Sequence, residues 1–303
     1  MSRPLTAPLT VLCSLTCALA AVLLASAAAA QSPAPAATAW VQLTSARARL
    51  LGGAAASAGA KSYLAGVEIT LEDGWKTYWR MPGDAGVPPN FDWSGSSNVA
   101  RVTVLYPAPT RMTEPAAETI GYKHGVLFPI EVVPKDASQP VGLTLALEFG
   151  VCREICIPAE ARLSLALDPG MAGGPSPLVL AALEKVPRTP THPNAEAPGV
   201  TRARAFLEGG NPHLVVVARF PKGDRGADLF VEAPDGLYVP MAKRVPNPTG
   251  DAEARLEADA GNDLVRFEVD LARTGNAREL KGRTLRLTLV SDAGAAETTW
   301  TVP

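Results

Sequence analysis

The sequence predicts an all-β protein in which a β-sandwich is followed by a second, smaller β-sandwich-like domain. Short segments with alternating apolar and polar residues recur along the chain, and turn-forming residues separate them. No helical periodicity lies between the strand segments of the first half, which argues against a fold of alternating strands and helices. The 303 residues include 28 prolines and 26 glycines, a high content that is typical of a turn-rich β protein.

Residues 1–30 have the organisation of a secretory signal peptide. Arg3 supplies a positive start, Leu9 to Leu24 is apolar, and the small residues Ala28 to Ala30 precede Gln31. A retained N-terminal anchor is the alternative, although an alanine-rich segment inserts weakly into a membrane. Because no later stretch is apolar enough to span a bilayer, we expect a periplasmic protein that is soluble after cleavage.

Residues 31–170 are predicted to form the first sandwich. Apolar residues alternate from Tyr63 to Leu71, and Asp73-Gly74 then marks a turn. The segment from Met81 to Asn90 is interrupted by proline and glycine, so we predict a loop there. The predicted strands of this domain are Ala46–Leu51, Tyr63–Leu71, Trp75–Trp79, Val99–Tyr106, Val126–Val133, Leu143–Phe149 and Ala161–Leu167.

Residues 171–199 are predicted to connect the two domains, and residues 200–303 to form the second one. Ser176 and Pro177 suit the start of a helix that extends to Val186, and a proline-rich linker follows it. We expect the second domain to serve as a scaffold or docking domain. Its predicted strands are His213–Phe220, Asp228–Ala233, Leu264–Leu271, Thr284–Val290 and Thr298–Val302.

Charge and motif content argue against several classes of function. The formal net charge is −2, so the chain has no excess of basic residues to neutralise nucleic-acid phosphates, and no nucleic acid is expected as a partner. No G-x-S-x-G, H-E-x-x-H or P-loop pattern occurs, which leaves hydrolase and nucleotide-binding functions without support. Three histidines and four cysteines are few ligands for an enzyme with several metals.

Cys152 and Cys156, separated by three residues, are the only cysteines that remain once the predicted signal peptide is removed. In an oxidising compartment they can form a disulfide. One interpretation is a structural staple, although so small a ring would stabilise the fold by only about 2 kcal/mol. A second is thiol–disulfide exchange, in which one thiolate attacks the disulfide of a partner and the other resolves the mixed disulfide. Arg153 would stabilise a thiolate and Glu154 would oppose it, so the sequence does not decide which cysteine attacks.

A copper-binding module is the third interpretation of the cysteine pair. Two thiolates suit Cu(I), and Met112 or His124 would be a further ligand. His124, which lies beside Tyr122, is also a candidate for tuning a thiolate. We expect no cofactor under the exchange interpretation, and Cu(I) only under this one.

Three segments around these cysteines resemble the periplasmic N-terminal domain of the thiol:disulfide interchange protein DsbD. They occur in the order of that family, and the resemblance runs from about residue 40 to residue 168. With a second β domain behind it, the overall form is similar to the ScsB-type relatives linked to copper-stress resistance. The three segments are LEDGWKTYWRMPGDAGVPPNFDW (71–93), ETIGYKHGVLFPIEVV (118–133) and LEFGVCREICIPAEARLSL (147–165).

The resemblance implies an immunoglobulin-like β-sandwich with Cys152 and Cys156 on adjacent strands as the redox pair. It also implies that a membrane-embedded reductant reduces this pair, which then passes electrons to periplasmic thiol oxidoreductases. The protein would thus be one component of a protein-disulfide reductase system. The family continues into a multi-span membrane domain, which this sequence lacks, so we expect the reductant to act in trans.

The resemblance also implies residues that support the redox pair. Tyr78 matches a family tyrosine near the cysteines, and Glu118 matches an acidic residue of the loop that caps them. The family cap carries aromatic residues just before its glycine, whereas here Tyr122 follows Gly121. Two expectations follow: either Tyr122 replaces this cover, or the cysteine pair is more exposed than in the family.

Overall fold

The computed structural model describes residues 37–53, 62–114, 117–169, 175–189, 196–246, 263–275 and 277–303. These residues belong to one compact unit that begins at residue 35. The predicted signal peptide, residues 1–30, lies outside the described residues. The predicted all-β fold class is confirmed, since 56% of the structure is strand and 7% is helix.

The described residues between 37 and 169 form two antiparallel sheets that face each other. One sheet has the strand order β1-β2-β3-β9-β6, and the other has the order β11-β10-β4-β8-β7, with β5 paired to β10. The strands are β1 (Val41–Leu43), β2 (Ala46–Leu51), β3 (Tyr63–Leu71), β4 (Lys76–Gly83), β5 (Asn90–Asp92), β6 (Val99–Val104), β7 (Thr110–Thr113), β8 (Glu118–Lys123), β9 (Gly125–Pro134), β10 (Val141–Cys152) and β11 (Cys156–Leu167).

The core of this sandwich follows from the alternation of residues along its strands. In β10, the odd-numbered residues from Val141 to Val151 are buried in the core. They pack against the opposite sheet, where Leu50 and Phe128 are fully buried. Because successive side chains point to opposite faces of a strand, the even-numbered residues Gly150 and Cys152 lie on the outer face of the β10 sheet.

A short helix, α1 (Pro177–Leu183), follows the first sandwich. Pro177 occupies its first turn and Ser176 is the N-cap, as predicted, although the Ser176 side chain makes no capping hydrogen bond. Val179 is fully buried and packs with Leu51 and Leu64 of the first sandwich. The helix is shorter than predicted, because single turn-type hydrogen bonds replace the α-helical pattern towards Val186.

The described residues between 199 and 301 form two further antiparallel sheets around a second core. Their strand orders are β12-β13-β16-β15 and β14-β17-β18. The strands are β12 (Gly199–Phe206), β13 (His213–Arg219), β14 (Asp228–Glu232), β15 (Lys243–Val245), β16 (Leu264–Asp270), β17 (Thr284–Ser291) and β18 (Gly294–Thr301), with 3-10 helices at Pro234–Gly236, Leu271–Arg273 and Ala277–Leu280. The second core contains Leu214, Val216, Phe220, Leu229, Phe267, Leu285 and Leu287.

Arg111 joins the two sandwiches through a partly buried ion pair. Its guanidinium donates two hydrogen bonds to the Asp228 carboxylate, at 2.8 and 2.6 Å, and a third to the carbonyl oxygen of Ala242 at 2.7 Å. Burial alone would lower the pKa of Arg111, but hydrogen bonds and charges from Asp228 and Glu118 outweigh that effect and raise it. The guanidinium therefore stays charged within the junction.

Arg80 and Trp79 form a second part of the junction between the sandwiches. Arg80 donates to the Glu232 carboxylate at 2.7 and 2.9 Å, and it also pairs with Glu297. Next to it, the Trp79 ring lies 5.7 Å from the Phe230 ring, centroid to centroid. The junction thus combines apolar packing with charge pairs, and it lies beside β4, the strand that also carries Tyr78.

Candidate redox site

The β10–β11 hairpin brings the two cysteines together. Its strands pair in continuous register from Val141 opposite Leu167 to Cys152 opposite Cys156. The three intervening residues make a tight turn, in which the Arg153 amide donates to the carbonyl of Ile155 at 3.1 Å. The Cα atoms of the cysteines are 4.1 Å apart, and the sulfurs form a disulfide. The two cysteines therefore occupy adjacent strands, as the resemblance implied.

The two cysteines differ strongly in solvent exposure. Cys152 is only 1% exposed, and it lies directly across from Lys76 in the β4–β10 register. Cys156 is exposed at the start of β11. An incoming thiolate must reach the sulfur along the axis of the bond that it breaks, so access decides which sulfur reacts. The structure presents Cys156 for attack and keeps Cys152 covered.

Tyr78 contacts the exposed cysteine directly. Its ring is buried on β4, and its hydroxyl lies 3.4 Å from Cys156 Sγ. Burial, with a smaller contribution from the charge of Glu114, raises the pKa of Tyr78. The hydroxyl is therefore protonated at neutral pH and can donate a hydrogen bond to the sulfur.

A buried lysine lies on the same face of β4, two residues before Tyr78. Lys76 is 6% exposed, and its ammonium pairs with Glu114 and lies 3.5 Å from Thr119 Oγ1. The ammonium is also 5.8 Å from the centre of the Tyr78 ring. Sequence reasoning missed Lys76, although its even spacing from Tyr78 in a strand puts both side chains on one face.

The loop of residues 84–89 covers Tyr78 on its outer side. Gly86 has φ +122°, and a Cβ atom placed on it would lie 2.3 Å from the Tyr78 ring. The carbonyl of Val87 accepts a hydrogen bond from the Gly150 amide at 3.3 Å. The sequence predicted a loop from Met81 to Asn90, but β4 continues to Gly83 and β5 begins at Asn90. The backbone at Gly86 thus lies directly against the tyrosine that touches Cys156.

Tyr122 does not cover the disulfide, contrary to the expectation from the sequence. Gly121 pairs with Tyr78 in the β4–β8 register, so Gly121 shares the outer face and Tyr122 points to the opposite one. Tyr122 is 8% exposed in the sandwich core, and its hydroxyl donates to the Pro107 carbonyl at 2.8 Å. Burial raises its pKa well above the ordinary value. A shift of one position along a strand therefore turns the expected cover into a core residue.

Glu118 and His124 also lie apart from the disulfide. Glu118 is the first residue of β8, and its carboxylate pairs with Arg111 at 3.0 Å. Residues 118–123 form a strand inside the sheet and do not form a capping loop. His124 occupies a turn with φ +63°, has 76% of its side chain exposed, and faces Asp73 with Nδ1 3.9 Å from Oδ1. Of the four supporting residues predicted, the structure brings only Tyr78 into contact with the pair.

The further copper ligands considered from the sequence are not assembled around the cysteines. Met112 is buried on β7, three strands away from Cys152 on β10. Strands in a sheet are spaced by about 4.8 Å, so three strand spacings alone separate the two backbones by about 14 Å. Met112 is also offset along the strands, because it pairs with Thr119, whereas Lys76, opposite Cys152, pairs with Lys123. Within the described part of the chain, no group of three or more histidine, cysteine or acidic residues is placed to hold a metal ion.

Comparisons with known proteins agree with this architecture. Residues 49–168 match the family model described as thiol:disulfide interchange protein DsbD, N-terminal. The chain is also similar to the crystal structure of the N-terminal periplasmic domain of ScsB from Proteus mirabilis. That match has a TM-score of 0.64 and 23% sequence identity, and covers 89% of this chain and 99% of the ScsB chain. A search of curated proteins found no match.

The two matches cover different parts of the chain. The family match includes both cysteines and the strand that carries Tyr78, and the structural match extends over the second sandwich as well. Among the described residues, no helix is long and apolar enough to cross a membrane. The resemblance to the N-terminal domain of DsbD is therefore confirmed over residues 49–168, in a chain that shares the fold of the ScsB periplasmic domain.

Proposed function

We propose that this protein relays electrons in the periplasm by thiol–disulfide exchange through Cys152 and Cys156. It would accept electrons from a membrane-embedded thiol reductant and pass them to periplasmic thiol oxidoreductases. The observation that carries the proposal is the disulfide itself, in which one cysteine is exposed and hydrogen-bonded to Tyr78 and the other is buried. The family match over residues 49–168 supports the same chemistry.

The reductive half of the cycle begins at the exposed sulfur. A thiolate of the reductant attacks Cys156 Sγ, the Cys152–Cys156 bond breaks, and Cys152 leaves with the electron pair as a thiolate that takes up a proton. A second thiol of the reductant then attacks the reductant sulfur that is bonded to Cys156, and the Cys156 thiolate is released and takes up a proton. The reductant ends as a disulfide, and this protein has gained two electrons and two protons.

The oxidative half reverses these roles. The Cys156 thiolate attacks the disulfide of an acceptor and forms a mixed disulfide, and one acceptor sulfur leaves as a thiolate. Cys152 then attacks Cys156 Sγ and restores the internal disulfide, and the acceptor leaves as a dithiol. Because Cys152 lies opposite Cys156 in the hairpin register, it is already in place for this second step.

The Tyr78 hydroxyl is suited to stabilise the reduced state. A hydrogen bond to a thiolate is stronger than one to a neutral disulfide sulfur, so the phenol favours the form of Cys156 that carries charge. Its raised pKa keeps the proton on the phenol in the pH range where a thiolate forms. Tyr78 thus acts on the reacting sulfur itself.

We expect the Tyr78→Phe variant to have a lower reduction potential than the wild type. Loss of one charge-assisted hydrogen bond of about 1–1.5 kcal/mol corresponds to a fall of about 20–30 mV for a two-electron couple. The raised pKa keeps the Tyr78 hydroxyl protonated, and the bond is charge-assisted only while Cys156 is a thiolate. The difference between variant and wild type should therefore grow as the pH rises through the range in which that thiolate forms. Equilibration with thiol buffers at several pH values measures it.

Tyr122→Phe is the matched control for this prediction. It removes a buried phenol that donates to the Pro107 carbonyl and faces the opposite side of the sheet. We expect its reduction potential to equal that of the wild type. An equal fall in both variants would show that Tyr78 acts through the fold and has no direct effect on the sulfur.

The relay itself is tested by electron transfer between proteins. The reduced protein is mixed with an oxidised periplasmic thiol oxidoreductase, and free thiols on both are followed by alkylation and mass shift. We expect two electrons to move per molecule, at a rate well above that with a small linear disulfide of similar potential. If the small disulfide reacts as fast as every oxidoreductase tried, the relay function is wrong.

Copper binding by the same thiolates remains the alternative prediction for this pair. Titration of the reduced protein with Cu(I) against a competing chelator would detect it. Stoichiometric uptake that is lost in Cys152→Ser, together with no transfer of electrons to an oxidoreductase, would replace the relay by a copper-handling function.

A further inference from the structure

We propose that the second sandwich is a positioning part of the redox site, in which Tyr238 holds the loop 84–89 over Tyr78 and so limits access to the side of Cys156 that Tyr78 covers. The inference gives residues 200–303 a specific task. It rests on the proposed function only in that Cys156 is the sulfur under attack.

The contact from the second sandwich is a short hydrogen bond to the start of the loop. The Tyr238 hydroxyl donates to Asp84 Oδ1 at 2.6 Å, and Arg273 of the same sandwich lies 3.9 Å from that oxygen. Burial and the bond to Asp84 raise the pKa of Tyr238, so its phenol remains a donor at neutral pH. The Asp84 carboxylate, 18% exposed, thus faces two donors from the second sandwich.

Asp84 is also fixed to its own sandwich through the backbone. Its amide donates to the Glu118 carbonyl at 2.9 Å, and the Glu118 amide lies 3.5 Å from Asp84 Oδ2. The preceding residue, Gly83, faces the second sandwich as well, since a Cβ atom placed on it would lie 3.4 Å from Met241 Sδ. The loop therefore leaves β4 at a point where both sandwiches hold it.

From this anchor the chain reaches the redox site within two residues. Gly86 lies against the Tyr78 ring, and Val87 then bonds to Gly150 on the cysteine strand. Tyr78 in turn contacts Cys156 Sγ. A continuous set of contacts thus connects Tyr238 to the exposed sulfur through Asp84, Gly86 and Tyr78.

The geometry indicates what the anchor does for the chemistry. The loop is attached at one end to β10 by the Val87–Gly150 bond and at the other to the second sandwich through Asp84. Loss of the Tyr238 bond removes the shortest contact between the loop and the second sandwich, and leaves the Asp84 end held by the Glu118 carbonyl and by Arg273 at 3.9 Å. A short proline- and glycine-containing loop with fewer attachments opens more often. Each opening uncovers the Tyr78 ring and frees it to move away from Cys156 Sγ, which its hydroxyl contacts at 3.4 Å.

The Tyr238→Phe variant tests this inference, because Tyr238 is 40% exposed and loss of its hydroxyl leaves the packing of the ring intact. Two rates are measured: reduction of the disulfide by dithiothreitol, and alkylation of Cys156 by iodoacetamide in the reduced protein. We expect each rate to rise about fivefold, as follows from the loss of one partly exposed hydrogen bond to a carboxylate. Both probes are small molecules, so a failure of the protein relay would leave the measurement valid.

Asp235→Asn is the matched control. Asp235 lies three residues before Tyr238, and the substitution removes its 2.8 Å ion pair with Arg283, which is not part of the loop. Its two rates should equal those of the wild type. Gly86→Ala is the second variant, because its new Cβ atom would collide with the Tyr78 ring and displace the loop directly. We expect Gly86→Ala to raise both rates and Tyr238→Phe to add nothing further in the double variant.

Three results would overturn the proposal. The first is unchanged rates in Tyr238→Phe while Gly86→Ala raises them, which would mean that the second sandwich does not hold the loop. The second is unchanged rates in both variants, which would mean that the loop does not limit access. The third is fully additive effects in the double variant, which would mean that Tyr238 acts by another route.

Discussion

Replacement of Cys152 by serine is expected to convert the protein into a trap for its redox partners. Cys156 is exposed and keeps its contact with Tyr78, so Cys152→Ser should still attack the disulfide of an acceptor. The mixed disulfide would then persist, because the residue that resolves it is gone. Non-reducing electrophoresis after incubation with an oxidised thiol oxidoreductase should show a stable covalent complex.

Replacement of Cys156 by serine should instead slow the formation of this covalent complex. In Cys156→Ser the remaining thiol belongs to Cys152, which is 1% exposed. It can react only when the site opens locally, so we expect complex formation to slow by about 100-fold, as for an opening that costs roughly 3 kcal/mol. If Cys156→Ser forms the complex as fast as Cys152→Ser, the assignment of the attacking sulfur is wrong.

The largest effect on stability is expected at the junction between the sandwiches. Arg111→Ala leaves the Asp228 carboxylate, 17% exposed, without its bidentate partner and also removes the bond to the Ala242 carbonyl. Loss of one member of a buried ion pair costs several kcal/mol, so the free energy of unfolding should fall by about 2–4 kcal/mol. Chemical denaturation followed by circular dichroism measures this change.

Arg225→Ala is the matched control for the junction. Its ion pair with Asp292 has a similar length, 2.7 Å, but Arg225 is 89% exposed and Asp292 is 53% exposed. An exposed pair contributes less than about 1 kcal/mol, so this variant should unfold almost like the wild type. Equal losses in both arginine variants would show that burial at the junction does not set the strength of the Arg111 pair.

The core strands could be predicted from the sequence because the alternation of apolar and polar residues is a local pattern. Tyr63 to Leu71 alternates regularly, and the structure gives a strand with the same bounds. The β7 and β8 strands were missed, since Thr110–Thr113 is only four residues long and Glu118–Lys123 contains a glycine. In these strands, pairing with neighbours in the sheet outweighs a weak local preference.

The part of the redox site that one continuous segment forms was predicted from the sequence. The part that forms where distant segments meet was missed. The hairpin holding Cys152 and Cys156 is continuous in sequence, so its two ends were found together. The cover over Tyr78 comes from residues 84–89, and its anchor, Tyr238, is 154 positions further along the chain than Asp84. Alternation along one strand cannot reveal a contact of that kind.

The face on which each side chain lies explains the clearest error at the site. Tyr122 and Gly121 are neighbours in sequence, and only the pairing of Gly121 with Tyr78 decides which of them faces the disulfide. A shift of one residue in strand register exchanges the two faces of a strand. The sequence alone did not contain that register, which β4 and β8 set together.

The reduction potential of the Cys152–Cys156 pair tests the central claim most directly. The purified protein would be equilibrated in defined thiol buffers, and the fraction of free thiol determined by alkylation. An electron relay predicts a value between about −180 and about −270 mV, the range of thiol–disulfide exchange proteins. A value below about −300 mV would identify a structural disulfide and contradict the relay.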